Sequence, residues 1–274
     1  MEIDFFKDIP IFIISFNRLS YLQRQVDFLE KAGYQNIHII DNASFYPPLL
    51  DYLAKSKHTV HRLTKNYGHL VLFVAPEFKD IIENQYFVLT DNDVIPNEDC
   101  PNDFVEFFYK TLSKHKNVNK VGFSLRIDDL PDCYALKNAV IKWESPFYQK
   151  PIKNSSPVLY NAPIDTTFAL YRPKKDWKKD KEDGIRTGVP YQARHLPWYK
   201  DLDNLTDEDI FYNNSDKQCG NWNGTKTSDF FQVTERSYIK VLGVPVMKIK
   251  QKKNKKTYYL FCFLPVWRVF CQAS

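Results

Sequence analysis

The segment Ile9-Pro10-Ile11-Phe12-Ile13-Ile14-Ser15 decides the fold class, because a short apolar, β-branched run between polar residues is typical of a buried strand. The stretch that follows, 19–29, carries apolar residues at helical spacing, and Gly33 stands where such a helix would end. Residues 36–40 then repeat the pattern of a buried strand. The order predicts a strand, a helix and a second strand.

The same alternation continues to residue 90. A second helix is predicted around 49–55, a third strand near 59–63 and a fourth at 86–90. Alternation of this kind is typical of a parallel α/β sheet with right-handed crossovers, and such sheets bind ligands at the carboxyl ends of their strands. Four groups of polar residues fall at those ends: Asn17-Arg18, Asp41-Asn42, Asn66 and Asp91-Asn92-Asp93.

The pattern changes after about residue 119. Strands are predicted at 120–126 and 162–171, and the charge run 174–183 is predicted to be a solvated loop. We expect one α/β domain over 1–245, with a donor half of about 1–100 and an acceptor half of 101–245. A basic and aromatic tail at 246–274 follows it.

Charge and cysteine usage exclude several classes of protein. Residues 248–274 carry seven positive charges and no acids, so residues 1–247 have a net charge of −2 although the whole chain carries +5. A nucleic-acid grip over the body is therefore not expected. The five cysteines are spread out and contain no Cys-x-x-Cys pair, which argues against a disulfide framework or a zinc knuckle. The acidic start lacks the pattern of a signal peptide, and a cytoplasmic location is expected.

The tail allows two interpretations. Six lysines within 248–256 precede an aromatic and apolar stretch at 257–270, which is shorter than the ~20 residues that span a bilayer. A lysine cluster beside aromatic residues suits attachment of 248–270 to an anionic membrane surface, here the inner face of the cytoplasmic membrane. The alternative is a final hairpin packed on the domain with its lysines in water.

Asp91-Asn92-Asp93 is the most informative motif. Two carboxylates separated by one residue at a strand end are suitable ligands for Mg²⁺ or Mn²⁺, which prefer oxygen and leave room for substrate phosphates. Such an ion would neutralise a diphosphate leaving group. The alternative for the motif taken alone is a turn that also caps a helix.

Four segments in order resemble the GT-A glycosyltransferases, and most closely the family-2-type bacterial enzymes: Ile-Ser-Phe-Asn-Arg at 14–18, Ile-Ile-Asp-Asn-Ala-Ser at 39–44, Lys-Asn-Tyr-Gly at 65–68 and Leu-Thr-Asp-Asn-Asp-Val-Ile-Pro at 89–96. The resemblance covers about the first 100 residues. It implies a GT-A fold, with a mostly parallel central sheet flanked by helices. It also implies metal-dependent transfer of a hexose from a UDP-sugar to a glycan or lipid-linked acceptor, as in cell-surface polysaccharide synthesis, with inversion as the default.

The resemblance also implies roles for individual residues. Ser15 and Arg18 would lie near the donor nucleotide, Asp41 would hydrogen-bond the base, and Asn66 would lie under the donor. The alternatives for the last two are a turn-forming Asp and a left-handed residue before glycine.

Three residues are the metal candidates. Asp91 would touch the ribose or sugar and share the cation with Asp93, its main ligand. His195 would complete the shell as a late histidine, since a neutral imidazole is a competent ligand. The alternative for His195 is a hydrogen-bonded histidine in an aromatic cluster.

The catalytic base is less certain from sequence, and several carboxylates compete. Family-2-type enzymes often place it in a Glu-Asp pair at a helix start, and Glu208-Asp209 could fill that place. The competing candidates are Asp165, Asp201 and the pair Asp128-Asp129. We favour Asp165, because it opens an apolar strand where an ionised carboxylate needs a reason, and we keep Asp201 beside it.

Two other functions fit parts of the sequence. A haloacid-dehalogenase-like phosphohydrolase would use Asp91 as nucleophile and Asp128-Asp129 as its later acidic pair. Its nucleophile normally follows the first strand, however, whereas three strand-helix units precede Asp91. A non-catalytic carbohydrate-binding protein would need no paired carboxylates.

Overall fold

A computed structural model describes residues 5–164, 167–175, 177, 184–201 and 203–215, and the backbone of four later strands. The strands are β1 Ile11–Ser15, β2 Ile37–Asp41, β3 Thr59–Arg62, β4 Phe87–Asp91, β5 Val94–Pro96, β6 Lys120–Leu125, β7 Leu159–Asn161, β8 Ala169–Tyr171, β9 Ile185–His195, β10 Glu235–Val241, β11 Val244–Lys252, β12 Lys255–Leu260 and β13 Leu264–Phe270. The helices are α1 Leu19–Lys31, α2 Pro47–Ala54, α3 Val71–Val74, α4 Lys79–Asn84, α5 Phe104–Lys114, α6 Lys137–Glu144 and α7 Asp207–Asn214.

The chain divides into two compact units, Met1–Asn223 and Gly224–Ser274. The first is built on a nine-stranded sheet in the order β3-β2-β1-β4-β8-β6-β9-β5, with β7 beside β9. Strands β1 to β4 are mutually parallel, whereas β8 runs antiparallel to both β4 and β6. The predicted α/β class, with a central sheet flanked by helices, is confirmed. The parallel pairing is concentrated in β1 to β4, and the second half of the sheet is mixed.

One face of the sheet is covered by an aromatic and aliphatic core. Phe12 and Phe87 point from β1 and β4 towards Val71, Phe78 and Trp177, and all of them are buried. Burying an apolar side chain of this size contributes about 1.5–3 kcal/mol to folding. This core holds the parallel strands that carry the polar residues at their carboxyl ends.

Helix α1 forms where the apolar spacing predicts it. It buries Leu22, Val26 and Leu29 along one stripe, and its last residue is Lys31. Gly33 follows with φ +88, the left-handed conformation that glycine adopts without strain. The predicted helix stop is confirmed.

The predicted strand at 162–171 is wrong as a single element. Leu159–Asn161 pairs with β9, whereas Ala169–Tyr171 inserts between β4 and β6, so the chain crosses from one part of the sheet to another between them. The insertion requires Gly122 on β6, because a Cβ there would lie 2.4 Å from the Phe168 carbonyl oxygen. Asp165, Thr166 and most of the charge run 174–183 lie outside the described residues.

The second unit is an antiparallel sheet in the order β10-β11-β12-β13. The expected boundary at residue 245 falls inside β11, and β10 precedes it. Of the side chains at 248–270 the structure gives no description, so the membrane surface expected there stays a prediction. Across the described part of the chain, no helix has both the length and the apolar character that crossing a bilayer requires.

Candidate active site

Three predicted site residues lie in a row at one edge of the sheet. Ser15 pairs with Asp41 across the parallel strands β1 and β2, and Ile14 pairs with Asp91 on β4. Parallel strands end at the same edge, so the polar residues that follow them meet there. Ser15 and Asp41 are fully buried, and Asp91 is half-buried.

Two amides fix the loops at this edge. Asn92 donates from Nδ2 to Ser15 Oγ (3.3 Å) and to the Arg18 carbonyl (3.2 Å). Gln25, buried on α1, donates from Nε2 to Thr90 Oγ1 (3.1 Å) and to the Val94 carbonyl (2.6 Å). The loop between β1 and α1 is therefore tied to the turn that carries Asp91 and Asp93.

Asp93 and His195 are brought together by strand pairing. Val94 on β5 pairs with His195 at the end of β9, and the Leu196 amide donates to the Asp93 carbonyl (2.8 Å). Asp93 Oδ2 lies 3.5 Å from His195 Nε2. Burial opposes ionisation of Asp93, but His195 and Arg18 outweigh it and hold the pKa of the carboxyl below its usual range.

The Asp93–His195 pair has the donor chemistry of a partial metal site. Asp93 Oδ1 is buried and has no hydrogen-bond partner among the described residues. Within that same part of the chain, no three His, Cys, Asp or Glu side chains come close enough to hold a metal together. Magnesium is often bound by one or two protein ligands with substrate phosphates supplying the rest, and two ligands fit such a site.

Arg18 is a buried cation beside this pair. Its side chain is 3% exposed, and its guanidinium lies 3.8 Å from the centre of the Tyr212 ring and 4.8 Å from that of Tyr21. Nη1 lies 3.8 Å from Asp209 Oδ1, and no nitrogen of the guanidinium makes a hydrogen bond within the described part of the chain. Burying such a donor fork is costly unless an anion satisfies it.

Helix α7 presents two consecutive carboxylates to the site. Thr206 and Asp209 form a capping box at its start, and Asp209 also contacts Lys200. Glu208 reaches instead to the first turn of α1, where its Oε1 accepts from the Leu19 amide (2.6 Å) and the Ser20 amide (3.0 Å). The Glu-Asp pair noted in the sequence thus lies beside Arg18.

A cavity of about 370 Å³ lies between α1, β5 and the start of α7. Its lining includes hydroxyl and carboxylate groups, two tyrosine rings and three cationic side chains: Ser20, Asp209, Tyr21, Tyr199, Arg24, Arg194 and Lys200. Burial raises the pKa of Tyr21 to about 12, so this ring stays a neutral phenol. The cavity is of a size and polarity that suit a sugar ring, and Asp209 is part of its wall.

The expected donor residues Asp41 and Asn66 are engaged in loop structure. Asp41 Oδ1 accepts from the Ser44 amide (2.9 Å), and Oδ2 pairs with Arg62 Nε (3.0 Å). Asn66 Oδ1 accepts from the Gly68 amide (2.8 Å). A nucleobase bound by Asp41 would have to share carboxylate oxygens that already accept hydrogen bonds within the protein. The roles of Asp41 and Asn66 in binding the sugar donor stay predictions.

The candidate bases fall in different places. Asp165, the favoured one, lies outside the described residues. Asp201 borders the cavity, but its oxygens accept from Asn204 Nδ2 (2.6 Å) and the Asp203 amide (3.0 Å), and these bonds lower the pKa of Asp201. Asp129 is held by Arg194 (2.8 Å) and by the Tyr199 hydroxyl (2.5 Å).

The sequence did not point to Gln25 as part of the site, and its signal for Asp209 was stronger than the prediction allowed. In the sequence Gln25 is one polar position on an amphipathic helix, and its spacing does not predict that it hydrogen-bonds to the residues around Asp91 and Asp93. Asp209 did have a signal, because Thr206-x-x-Asp209 is a variant of the capping-box pattern that starts a helix. That pattern gives independent support to the helix start at which the family resemblance would place Glu208 and Asp209.

No family model matches the sequence, and no curated protein matches it. Solved structures that it resembles include the mannosyltransferase PcManGT from Pyrobaculum calidifontis in complex with GDP-Man and Mn²⁺, at 14% identity and a TM-score of 0.37 over 60% of this chain and 44% of that chain. Residues 1–349 of S. aureus TarS match at 11% identity and a TM-score of 0.34 over 61% of this chain and 47% of that one. The chain thus spans less than half the length of either structure. Likenesses at this level assign no donor, metal or acceptor, and do not identify a family-2-type bacterial enzyme.

Proposed function

We propose that this chain is a glycosyltransferase that takes its sugar from a nucleotide-sugar, with a UDP-sugar as the first candidate. One observation carries the proposal, which is that Asp93, His195, Arg18 and Asp209 converge at the carboxyl edge of the parallel strands. An aspartate beside a histidine suits a divalent cation whose other ligands come from substrate phosphates, and a buried arginine without hydrogen bonds suits a diphosphate. The ordered motifs at 14–18, 39–44, 65–68 and 89–96 support the same reading.

In this proposal Asp93 and His195 hold Mg²⁺ or Mn²⁺, with Asp91 in reach of the ribose or the sugar. The bound cation would neutralise charge that develops on the departing diphosphate. Arg18 would bind the same diphosphate through its donor fork. Ser15, which is buried, would support the nucleotide site from beneath through its hydrogen bond with Asn92. Asp41 and Asn66 shape the loops around it.

The acceptor, a glycan or a lipid-linked sugar, would enter the cavity beside Asp209. Its hydroxyl would give its proton to the Asp209 carboxylate while the oxygen attacks the anomeric carbon and the diphosphate leaves from the opposite face, which inverts the configuration. Asp209 replaces Asp165 and Asp201 as our candidate base because it lies beside Arg18 and borders the cavity. Attachment of 248–270 to an anionic membrane would suit a lipid-linked acceptor.

Calorimetry with UDP, GDP, CDP and ADP, with and without Mn²⁺, tests the donor site. We expect metal-dependent binding of UDP that Asp93→Ala abolishes. The matched control is Asp128→Ala, which removes an aspartate whose side chain is 73% exposed and contacts Arg126. Binding of no nucleotide under either condition would refute the donor assignment, and a release of phosphate from phosphoesters would then favour the phosphohydrolase.

A further inference from the structure

Glu208 caps a helix to which it does not belong. Its Oε1 accepts from the Leu19 amide (2.6 Å) and the Ser20 amide (3.0 Å), and its Oε2 accepts from the Ser20 hydroxyl. The first amides of a helix have no partner within it, and Arg18, at the N-cap position of α1, provides no side-chain cap. The cap of α1 therefore comes from a residue 189 positions further along the chain.

Helix α7 does not need Glu208 for its own start. Thr206 and Asp209 complete the capping box there, and Asp209 alone of the α7 residues is buried. An eight-residue helix with one buried, charged side chain gains little from the hydrophobic effect. Its position must depend mainly on specific polar and aromatic contacts.

The Phe211 ring packs on Tyr46 (4.7 Å between ring centres), and the other contacts lead to the segment that joins β1 to α1. Asn17 Nδ2 donates to Ser215 Oγ (3.1 Å), and the Arg18 guanidinium stacks on Tyr212 (3.8 Å). Glu208 adds the contact at which a full negative charge meets the positive end of the α1 dipole. Of these three contacts with the β1–α1 segment and the start of α1, the one made by Glu208 lies closest in sequence to Asp209.

We propose that Glu208 is a positioning residue that fixes the Asp209 carboxylate against Arg18 by anchoring α7 to the first turn of α1. The inference rests on the proposed function, in which Asp209 takes the proton from the acceptor. Glu208 itself touches no reacting atom in this scheme. A displacement of about 1 Å at the reacting centre is enough to cost ~100-fold in rate.

The test compares Glu208→Ala, Glu208→Gln and the control Asp207→Asn. Asp207 is exposed in the same first turn, so its substitution removes one charge from α7 and leaves the α1 cap in place. Turnover is measured as UDP released by hydrolysis of the UDP-sugar that the wild-type protein with Mn²⁺ hydrolyses fastest, water replacing the acceptor hydroxyl. Amide hydrogen exchange of the peptide that contains Leu19 and Ser20 reports the cap without any need for activity.

We expect Glu208→Ala to lower kcat about 10- to 100-fold with the donor KM changed less than twofold. Glu208→Gln, which keeps an oxygen at the same reach, should recover most of kcat, and Asp207→Asn should resemble the wild type. Exchange at the start of α1 should rise in Glu208→Ala only. A loss of kcat no greater than that of Asp207→Asn, or unchanged exchange, would overturn the inference.

A failure of the proposed function has a different signature. The wild-type protein would then neither bind UDP nor release it from any UDP-sugar, and the positioning role would fall with it. Exchange at Leu19 and Ser20 would still show whether the cap exists.

Discussion

Arg18 Nη1 lies 3.8 Å from Asp209 Oδ1, too far for a hydrogen bond, although the arginine side chain is only 3% exposed. The carboxylate has nearer partners, since Lys200 and Thr206 both contact it. The guanidinium has two tyrosine rings as neighbours and no hydrogen bond among the described residues. The donor fork of Arg18 is thus buried without a hydrogen-bond partner, and a diphosphate that reached it would have the charge and geometry to satisfy it.

Arg18→Met should weaken nucleotide binding while leaving the stability of the fold nearly unchanged. Losing the ring contacts costs about 0.5–2 kcal/mol, and removing a buried cation without hydrogen bonds offsets that, so the free energy of unfolding should change by less than about 1 kcal/mol. Affinity for UDP with Mn²⁺ should fall at least tenfold. Urea unfolding and calorimetry measure the two quantities on the same protein. A large loss of stability with unchanged affinity would make Arg18 a structural residue.

Asp209→Asn should lower the rate of sugar transfer about 10²- to 10⁴-fold, because the amide cannot take the proton from the acceptor. Affinity for UDP should remain, and the weakened capping box should cost about 1 kcal/mol of stability. Single-turnover rates and thermal unfolding measure these effects.

Two matched variants decide between the candidate bases. Asp201 borders the same cavity, but its oxygens accept hydrogen bonds that close a local turn. The rate of sugar transfer by Asp201→Asn should therefore stay within about threefold of the wild type. Asp165→Asn tests the carboxylate favoured from sequence alone. A loss confined to either of these variants would transfer the role of base from Asp209 to that residue.

The placement of Ser15, Asp41 and Asp91 at one edge of the sheet was predictable because these residues follow a regular pattern. Each of β1, β2 and β4 is a short apolar run, and parallel pairing places Ser15, Asp41 and Asp91 at one edge. The rest depends on contacts that leave little trace in a sequence. Strand β5 has three residues, too few for any periodicity, yet its pairing with β9 brings His195 to Asp93.

The second half of the sheet also contains two features that are hard to predict from sequence. Strand β9 is eleven residues long and contains Pro190, a residue that usually argues against a strand. The strand is absent from the elements that the sequence pattern predicts. The division of 159–171 into β7 and β8 depends on Gly122 admitting Ala169 beside it, a close approach between strands that nothing in local propensity indicates.

The His38–His61 pair on β2 and β3 should make the protein acid-sensitive. His38 Nδ1 lies 3.0 Å from His61 Nε2, and burial together with His61 lowers the pKa of His38 to about 4. Burial also lowers the pKa of His61, although Glu77 nearby opposes this. Because the unfolded chain takes up protons below about pH 6.5 and the folded His38 does not, stability should be full above that pH and fall towards pH 4.

The measurement is urea unfolding at pH 7.5 and pH 5.0 for the wild type and His38→Gln. The wild type should lose about 1 kcal/mol more than the variant between the two pH values, allowing for the partial exposure of the ring. Equal losses in both proteins would show that other groups cause the acid sensitivity.

The pairing of Val94 with His195 has a consequence for the order in which the molecule is made. Asp93 leaves the ribosome about a hundred residues before His195, and Glu208 and Asp209 follow later still. A nascent chain that has released β1 to β4 therefore holds the parallel strands β1 to β4 but lacks His195, Glu208 and Asp209 of the proposed site. If the proposed site is correct, affinity for a divalent cation and nucleotide should appear only after β9 has paired with β5, so binding would report that pairing during synthesis.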